Sequence, residues 1–312
     1  MVVFYCGRDH QTADWNNHKA DCNVIRRRTS TLNAEEQRLR SQPPGDIFTP
    51  DRLFEDHVGD FWGIMETRTY MRARYALVEA LLKIDNFAAV NTALEHLLAM
   101  LVLCSSDNMG LRDQVPGLLL RVQEEQKCYD FILWWIKNLG EGDFDPALPK
   151  IEDADVFGPV DPTFTGKYRS LSHTVAITLL KIRLLQGLRE LHNSTPIGTK
   201  TSQELFDNIR ESLVEGTPIA GRDDILSNQD QSQIMDTLQR QVQQMYAAVS
   251  NVNKHLWPAM LEPGSNLTAR PEFMSAGTPQ EMQITLQYNY KAWSETPGAI
   301  QMIQRLHEGG SP

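Results

Sequence analysis

Residues 70–104, YMRARYALVEALLKIDNFAAVNTALEHLLAMLVLC, decide the fold of this chain. Apolar side chains recur three and four positions apart along residues 70–84, which is the spacing of an amphipathic helix. The same recurrence resumes along residues 87–104, after an interruption at residues 85–86. Two helices with so short a join are expected to form an antiparallel helical hairpin.

A second stretch of similar pattern follows at an offset of about 38 residues. Residues 74–97 align with residues 112–135, so that ALLKI at 80–84 falls on LLLRV at 118–122. The offset lies between the period of about 34 residues in tetratricopeptide repeats and of roughly 40 to 47 in HEAT-type repeats, both built from stacked helix pairs. We therefore predict an all-α fold, a helical-hairpin array similar to tetratricopeptide repeats.

Further helices are predicted beyond an acidic loop. Residues 140–168 are rich in Asp, Pro and Gly and cannot form one helix. Helical periodicity returns at residues 172–192, 205–213 and 230–252. Residues 278–293 begin with a Thr cap, Pro at the first position and Glu at the third, which is a helix start. No segment sustains the alternation of a strand, so little sheet is expected.

Three further segments complete this prediction. Residues 34–40 form a charged helical piece that ends in a linker containing Pro and Gly. A helix is expected to start at residues 49–50, with Thr49 as its cap and Pro50 at its first position. Residues 255–271 are expected to be a loop with buried anchors.

The N-terminus carries four candidate zinc ligands in two pairs. Cys6 and His10 are four positions apart in the sequence, as are His18 and Cys22. On a helical turn each pair directs two ligands to one side, and thiolate and imidazole are ligands that zinc prefers. We therefore predict Cys6, His10, His18 and Cys22 as metal ligands.

This pattern, YC-x3-H-Q-x3-W-x2-H-K-x2-C over residues 5–22, resembles the second half of a MYND-type zinc finger. The resemblance implies a cross-braced module with two zinc ions that binds short, proline-containing peptides of transcriptional or signalling partners. One zinc would take an upstream Cys pair together with Cys6 and His10, and the other a second upstream pair with His18 and Cys22. His10 stands where the family usually has Cys, and both residue types suit zinc.

Two of the four ligands of each zinc site are present in this sequence, because neither upstream Cys pair precedes Cys6. Three interpretations are open: the finger is incomplete here, the four residues form one Cys2His2 site, or the segment binds no metal. A continuous helix would separate His10 from His18 by about 12 Å along its axis. A single site therefore needs a break between the pairs, and we favour the incomplete finger.

Composition limits the classes of partner. A net charge of −10 and a pI near 5.3 argue against binding of nucleic acid by the body of the protein. We interpret the basic run at residues 26–28 as the solvated end of a helix. There is no signal peptide or membrane-spanning run, and four Cys give no disulfide framework, with Cys104 and Cys128 expected to be buried. We expect an intracellular protein, cytoplasmic or nuclear, without a membrane partner.

Some proteins with MYND fingers are lysine methyltransferases, so the resemblance also raises an enzyme as an alternative. The Asn-His-Ser-Cys motif of their SET domain is absent, as are a phosphate-binding loop and a nucleophile elbow. No catalytic or cofactor-binding residue is predicted. The function predicted is a non-enzymatic, zinc-binding adaptor for protein–protein interaction, a candidate transcriptional or signalling regulator. The alternatives are a protein-modifying enzyme that uses the finger as substrate adaptor, and a transcription regulator that contacts DNA through residues 26–28.

Five segments follow from these patterns. They are a partial MYND-type zinc finger at residues 1–28, a linker helix with a Pro/Gly linker at 29–48, a helical repeat-like domain at 49–139, an acidic Pro/Gly loop at 140–170, and a C-terminal helical region packed on the same body at 171–312.

Overall fold

The computed structural model describes residues 8–43, 50–138, 151–166, 170–198 and 202–312. Within these ranges the regular structure is helical, and β structure is limited to an isolated bridge between Asp60 and Cys104. The all-α class predicted from the periodicity is confirmed.

The chain divides into two compact units. The first comprises the described residues of Met1–Val115 and Asn138–Lys150, and the second those of Pro116–Lys137 and Ile151–Pro312. The division after Val115 falls inside the segment that the sequence assigns to one repeat-like domain, residues 49–139. The five segment bounds stay predictions.

The first unit is built on a helical hairpin. Its helices are α1 (Arg8–Arg40), α2 (Leu53–Asp56), α3 (Arg68–Leu82) and α4 (Phe87–Leu103). α3 packs against both α1 and α4, with Leu77, Leu81 and Leu97 buried. The two helices expected between residues 70 and 104 are confirmed.

The join between α3 and α4 explains where each helix ends. Asp85 adopts the left-handed conformation, with φ of 61°, a region that Asp and Asn enter more readily than most residues. Asn86 then caps α4, because its side-chain oxygen accepts a hydrogen bond from the backbone N–H of Ala89 at 2.8 Å. These two residues supply the turn and the cap.

Two helix bounds near the N-terminus differ from the sequence-based expectation. The charged piece at residues 34–40 is the last part of the much longer α1. The helix expected from Thr49 and Pro50 begins at Leu53 instead, as α2. Arg52 precedes it with φ of 50°, so the chain turns after Pro50 and before the helix starts. Thr49 lies outside the described residues.

The second unit is arranged around one long helix. Its helices are α5 (Val115–Arg121), α6 (Glu125–Asn138), α7 (Leu171–Gly198), α8 (Gln203–Val214), α9 (Asp223–Leu226), α10 (Ser232–Val252), α11 (Leu256–Leu261), α12 (Pro279–Ser294) and α13 (Ala299–His307). α7 contacts α8, α10, α12 and α13. Every residue from 171 to 182 is buried, so the core of this unit surrounds the first half of α7.

Part of the segment predicted as a loop, residues 255–271, is helical. α11 and a 3-10 helix at Gly264–Thr268 lie within it. Trp257 is buried, stacks on the ring of Tyr246 with centroids 5.3 Å apart, and donates to the Tyr246 carbonyl oxygen at 3.0 Å. The expected buried anchors are therefore present, but the loop assignment was wrong over α11. Pro258 lies in the first turn of α11, where its missing N–H has no helical partner to lose.

The described part of the acidic loop, residues 151–166, contains no α-helix, and its one regular element is a 3-10 turn at Pro162–Thr165. Lys181 of α7 is 1% exposed and donates to the carbonyl oxygens of Val156 and, at 3.2 Å, of Gly158. Burial lowers the pKa of the Lys181 ammonium to about 8. Residues 140–150 and 167–168 of the predicted loop lie outside the described residues.

α5 approaches α12 closely at a glycine. A Cβ atom at Gly117 would lie 2.3 Å from the backbone carbonyl oxygen of Tyr288, nearer than any real Cβ contact. The sequence offers no sign of this contact, because Gly117 and Tyr288 are distant along the chain.

We expect Gly117→Ala to destabilise the protein by about 1 to 3 kcal/mol, the usual cost of overpacking, although Ala is the better helix former. Urea denaturation followed by circular dichroism measures the free energy of unfolding. Gly221→Ala is the matched control, because a Cβ at Gly221 meets no atom within 4 Å. Equal stability of the two variants would contradict the close approach.

Asp107 closes the turn after α4. Its side chain is 1% exposed and accepts hydrogen bonds from the backbone N–H groups of Leu111 at 2.7 Å and Arg112 at 3.1 Å. Burial raises the pKa of the Asp107 carboxyl to about 6, against the lowering effect of those hydrogen bonds. Because the pKa is raised on folding, the stability tied to this carboxyl is complete below the unfolded pKa and is lost as pH rises toward 6.

Asp107→Asn should remove this pH dependence, since Asn keeps an acceptor oxygen and tolerates the φ of 48° found here. The free energy of unfolding of the variant minus that of the wild type should rise between about pH 4 and pH 6, by on the order of 2 to 3 kcal/mol, and then stay level. Chemical denaturation at a series of pH values measures it. The exposed Asp236→Asn serves as control, and a difference that falls with pH would refute the assignment.

Candidate metal-binding segment

Three of the four predicted zinc ligands lie on α1. His10, His18 and Cys22 belong to this one helix, whereas Cys6 lies outside the described residues. The side chains of His10 and His18 are also outside the described part of the chain. Cys22 is half-buried with a free thiol.

The unbroken course of α1 bears on the number of metal sites. In a continuous helix the backbones of His10 and His18 are about 12 Å apart along the axis. A single Cys2His2 site requires a break between these residues, and α1 runs without one from Arg8 to Arg40.

The C-terminal half of α1 is fixed to the first unit. Leu32 and Leu39 are buried where α1 packs on α3. Arg38 donates to the backbone carbonyl oxygen of Glu66 at 2.9 Å, and the Arg40 guanidinium lies 4.1 Å from the centroid of the Phe54 ring. His10, His18 and Cys22 therefore lie on α1 before its docked half.

Between these two parts, residues 26–31 are exposed, including the basic run at residues 26–28. This agrees with the expected solvated helix end at residues 26–28. Residues 26–31 join the part of α1 that carries His10, His18 and Cys22 to its docked half.

The acidic loop is a weaker candidate for a metal site than the N-terminal segment. In the described part of the acidic loop, Asp155 lies 3.4 Å from the Arg222 guanidinium, so its charge is partly neutralised. No group of three or more His, Cys, Asp or Glu side chains placed to hold a metal occurs within the described ranges. None of the described helices combines the length and apolar character needed to span a membrane.

The histidines and cysteines described outside the N-terminal motif lie in packed or hydrogen-bonded positions. His96 is half-buried and accepts a hydrogen bond from Arg74 Nε at 3.2 Å, and burial lowers the pKa of its imidazole. His173 is buried, and its backbone N–H is capped by the Ser170 hydroxyl. Cys104 and Cys128 are buried free thiols, as predicted.

Sequence reasoning missed the buried ionic side chains, among them Lys181 and Glu125. Lys181 could have been noticed as the one charged residue of the apolar run VAITLLKI at residues 175–182. Glu125 gives no comparable signal, since a glutamate at the first residue of a helix is ordinary. Its burial is apparent only once α6 and α7 are placed together, through its hydrogen bond with Arg183 at 2.7 Å.

Arg27→Pro should uncouple the two halves of α1. A proline at this exposed position removes an N–H and clashes with the carbonyl of the preceding turn, at a cost of about 3 kcal/mol. We expect amide hydrogen exchange to accelerate on the N-terminal side of Arg27, by roughly a hundredfold, while residues 32–40 keep their protection. Arg27→Ala is the control, and faster exchange throughout α1 would mean that docking on α3 does not hold the C-terminal half.

Comparison with known proteins gives a family match for one part of the chain, the N-terminal residues. A curated relative, Rho GTPase-activating protein gacZ of Dictyostelium discoideum, is 41% identical over 51 residues, which is 16% of this chain. The match spans 5% of that relative's length. No solved structure matches the chain, so stacking of the tetratricopeptide kind stays a prediction. The MYND finger family matches residues 1–22, and this N-terminal segment is accordingly a partial MYND finger.

Proposed function

We propose that this protein is a non-enzymatic, zinc-binding adaptor that captures short peptides of partner proteins through its MYND segment. The observation that carries the proposal is the match of residues 1–22 to a MYND finger, since such fingers are protein-interaction modules. The continuous α1 supports it, because it ties that segment to a folded helical unit. We place the adaptor in the cytoplasm or nucleus.

Zinc would form the core of the finger in this proposal. Cys6 and His10 would contribute to one ion, and His18 and Cys22 to a second. A complete site contributes on the order of 10 kcal/mol to folding of so small a module. The metal would then position Trp15 and Gln11, the remaining residues of the motif, for contact with a peptide.

The peptide class follows from the family resemblance, which implies short proline-containing segments of transcriptional or signalling partners. Such segments are partly extended before binding and lose little entropy when they dock. The GTPase-activating activity in the relative's name belongs to that protein, of which this chain matches a twentieth. It forms no part of the proposal.

Zinc content tests the ligand assignment. The full chain is purified with zinc, desalted and analysed for metal per chain. We expect bound zinc in the wild type, loss in His18→Ala and Cys22→Ser, and no change in His307→Ala, whose histidine is exposed on α13. Zinc retained by His18→Ala and Cys22→Ser would remove these residues from the site.

Peptide capture tests the adaptor role. Fluorescence anisotropy with a library of proline-containing peptides should identify binders, and Trp15→Ala and zinc removal by chelation should each weaken binding at least tenfold. The matched peptide has alanine in place of each proline, and His307→Ala is the protein control. Equal affinity for the alanine peptide, or for the zinc-free protein, would contradict the proposed function.

A further inference from the structure

A cavity of about 630 Å³ in the second unit has no part in the function proposed above. Its walls come from the start of α6, from residues 153–157 of the acidic loop, and from the turn at residues 216–222. We propose that this cavity binds a guanidinium or ammonium group, carried either by a small organic cation or by an arginine or lysine side chain of a peptide.

Glu125 supplies the central acceptor. This residue lines the cavity and is 7% exposed. Its Oε1 accepts a hydrogen bond from Arg183 at 2.7 Å, whereas its buried Oε2 has no hydrogen-bond partner in the described parts of the chain. A buried acceptor without a partner is unfavourable. A ligand in the cavity that donates a hydrogen bond to the Glu125 Oε2 would remove this unfavourable free energy.

The charge of the wall selects the ligand. Glu124, Asp153 and Asp155 line the cavity together with Glu125, and Arg222 is the cationic side chain among the described residues that line it. Arg183 pairs with Glu125 and Lys127 with Glu124, so four carboxylates face three cations. The excess of negative charge favours a positive ligand and opposes an anion.

Arg222, which lines the cavity, shows that a guanidinium group can be held among carboxylates here. Its guanidinium lies 4.9 Å from the centroid of the Phe157 ring, donates to Asp224 at 2.8 and 2.7 Å, and is 3.4 Å from Asp155. Arg222 is therefore already engaged with carboxylates and does not neutralise Glu125. Glu124 pairs with Lys127 at 2.9 Å and Glu125 Oε1 with Arg183 at 2.7 Å, so the Glu125 Oε2 is the acceptor that is left for a second cation.

The loop wall is preformed. The Asp130 carboxylate accepts hydrogen bonds from the backbone N–H groups of Asp153 at 3.1 Å and Ala154 at 3.0 Å. Gln126 donates to the Ala154 carbonyl oxygen at 2.9 Å. A wall held in place before binding lowers the entropic cost of capturing a small ligand.

Isothermal titration calorimetry of the full chain tests the proposal with three probes. The peptide Gly-Gly-Arg-Gly-Gly carries the cation, its citrulline counterpart is a neutral near-isostere, and ethylguanidinium is the free cation. We expect the arginine peptide to bind saturably and at least tenfold more tightly than the citrulline peptide. Comparable binding of ethylguanidinium would identify a small-molecule site, and binding of the peptide alone a side-chain site.

Two variants locate the binding. Glu125→Gln should weaken the arginine peptide at least tenfold, whereas Glu211→Gln, on the exposed face of α8 and outside this cavity, should change it less than twofold. Because Glu125→Gln also weakens the pairing with Arg183, Gly221→Leu provides a second test. It narrows the cavity at a position where a Cβ meets no atom within 4 Å, so it should fold and lose binding.

Three outcomes would overturn the proposal. They are absence of saturable binding by any cationic probe, equal affinity for the citrulline peptide, and full binding by a folded Gly221→Leu or Glu125→Gln variant.

Discussion

The complete burial of α7 over residues 171–182 is the constraint on which the second unit depends. A helix buried around its whole circumference needs neighbours on every side, and α8, α10, α12 and α13 supply them. The same burial encloses Lys181, whose amine must find acceptors away from water. The carbonyl oxygens of Val156 and Gly158 provide these acceptors, so the path of the acidic loop is linked to the packing of α7.

The second ionic residue of α7 fixes the elements that precede it. Arg183 donates to the Leu120 carbonyl oxygen at 2.6 Å, to Glu125 at 2.7 Å and to the Thr296 hydroxyl at 2.9 Å. One guanidinium thus joins α5, α6 and the end of α12 to α7. This explains why residues 116–137, which look like a copy of the first hairpin, belong to the second unit.

The sequence was sufficient for structure that depends on local patterns. α10 begins and ends within two residues of its expected bounds, and the predicted cap of α12 is present, with Thr278 accepting from the Glu281 backbone N–H at 3.3 Å. It was insufficient where a distant partner decides the outcome. The division after Val115, the contact of Gly117 with Tyr288 and the burial of Glu125 arise from contacts between residues far apart in the chain.

The candidate metal-binding segment has one feature that the sequence predicted and one that it could not predict. The spacing of Cys6, His10, His18 and Cys22 is local and predicts ligand pairs, and the family match covers the same residues. That α1 continues to Arg40 and docks on α3 could not be inferred, because residues 23–33 are mostly polar and the partner lies beyond a linker.

The unbroken α1 also sets an angular relation between finger and body. Each residue of an α-helix advances about 100° around the axis, so the direction in which Cys22 faces is determined by the number of residues that separate it from Leu32. Insertion of one residue in this stretch would swing the finger through more than a quarter turn around the helix axis, without altering any ligand or any contact of the docked half. The length of residues 23–31 therefore fixes the orientation of Cys22 relative to the docked half of α1.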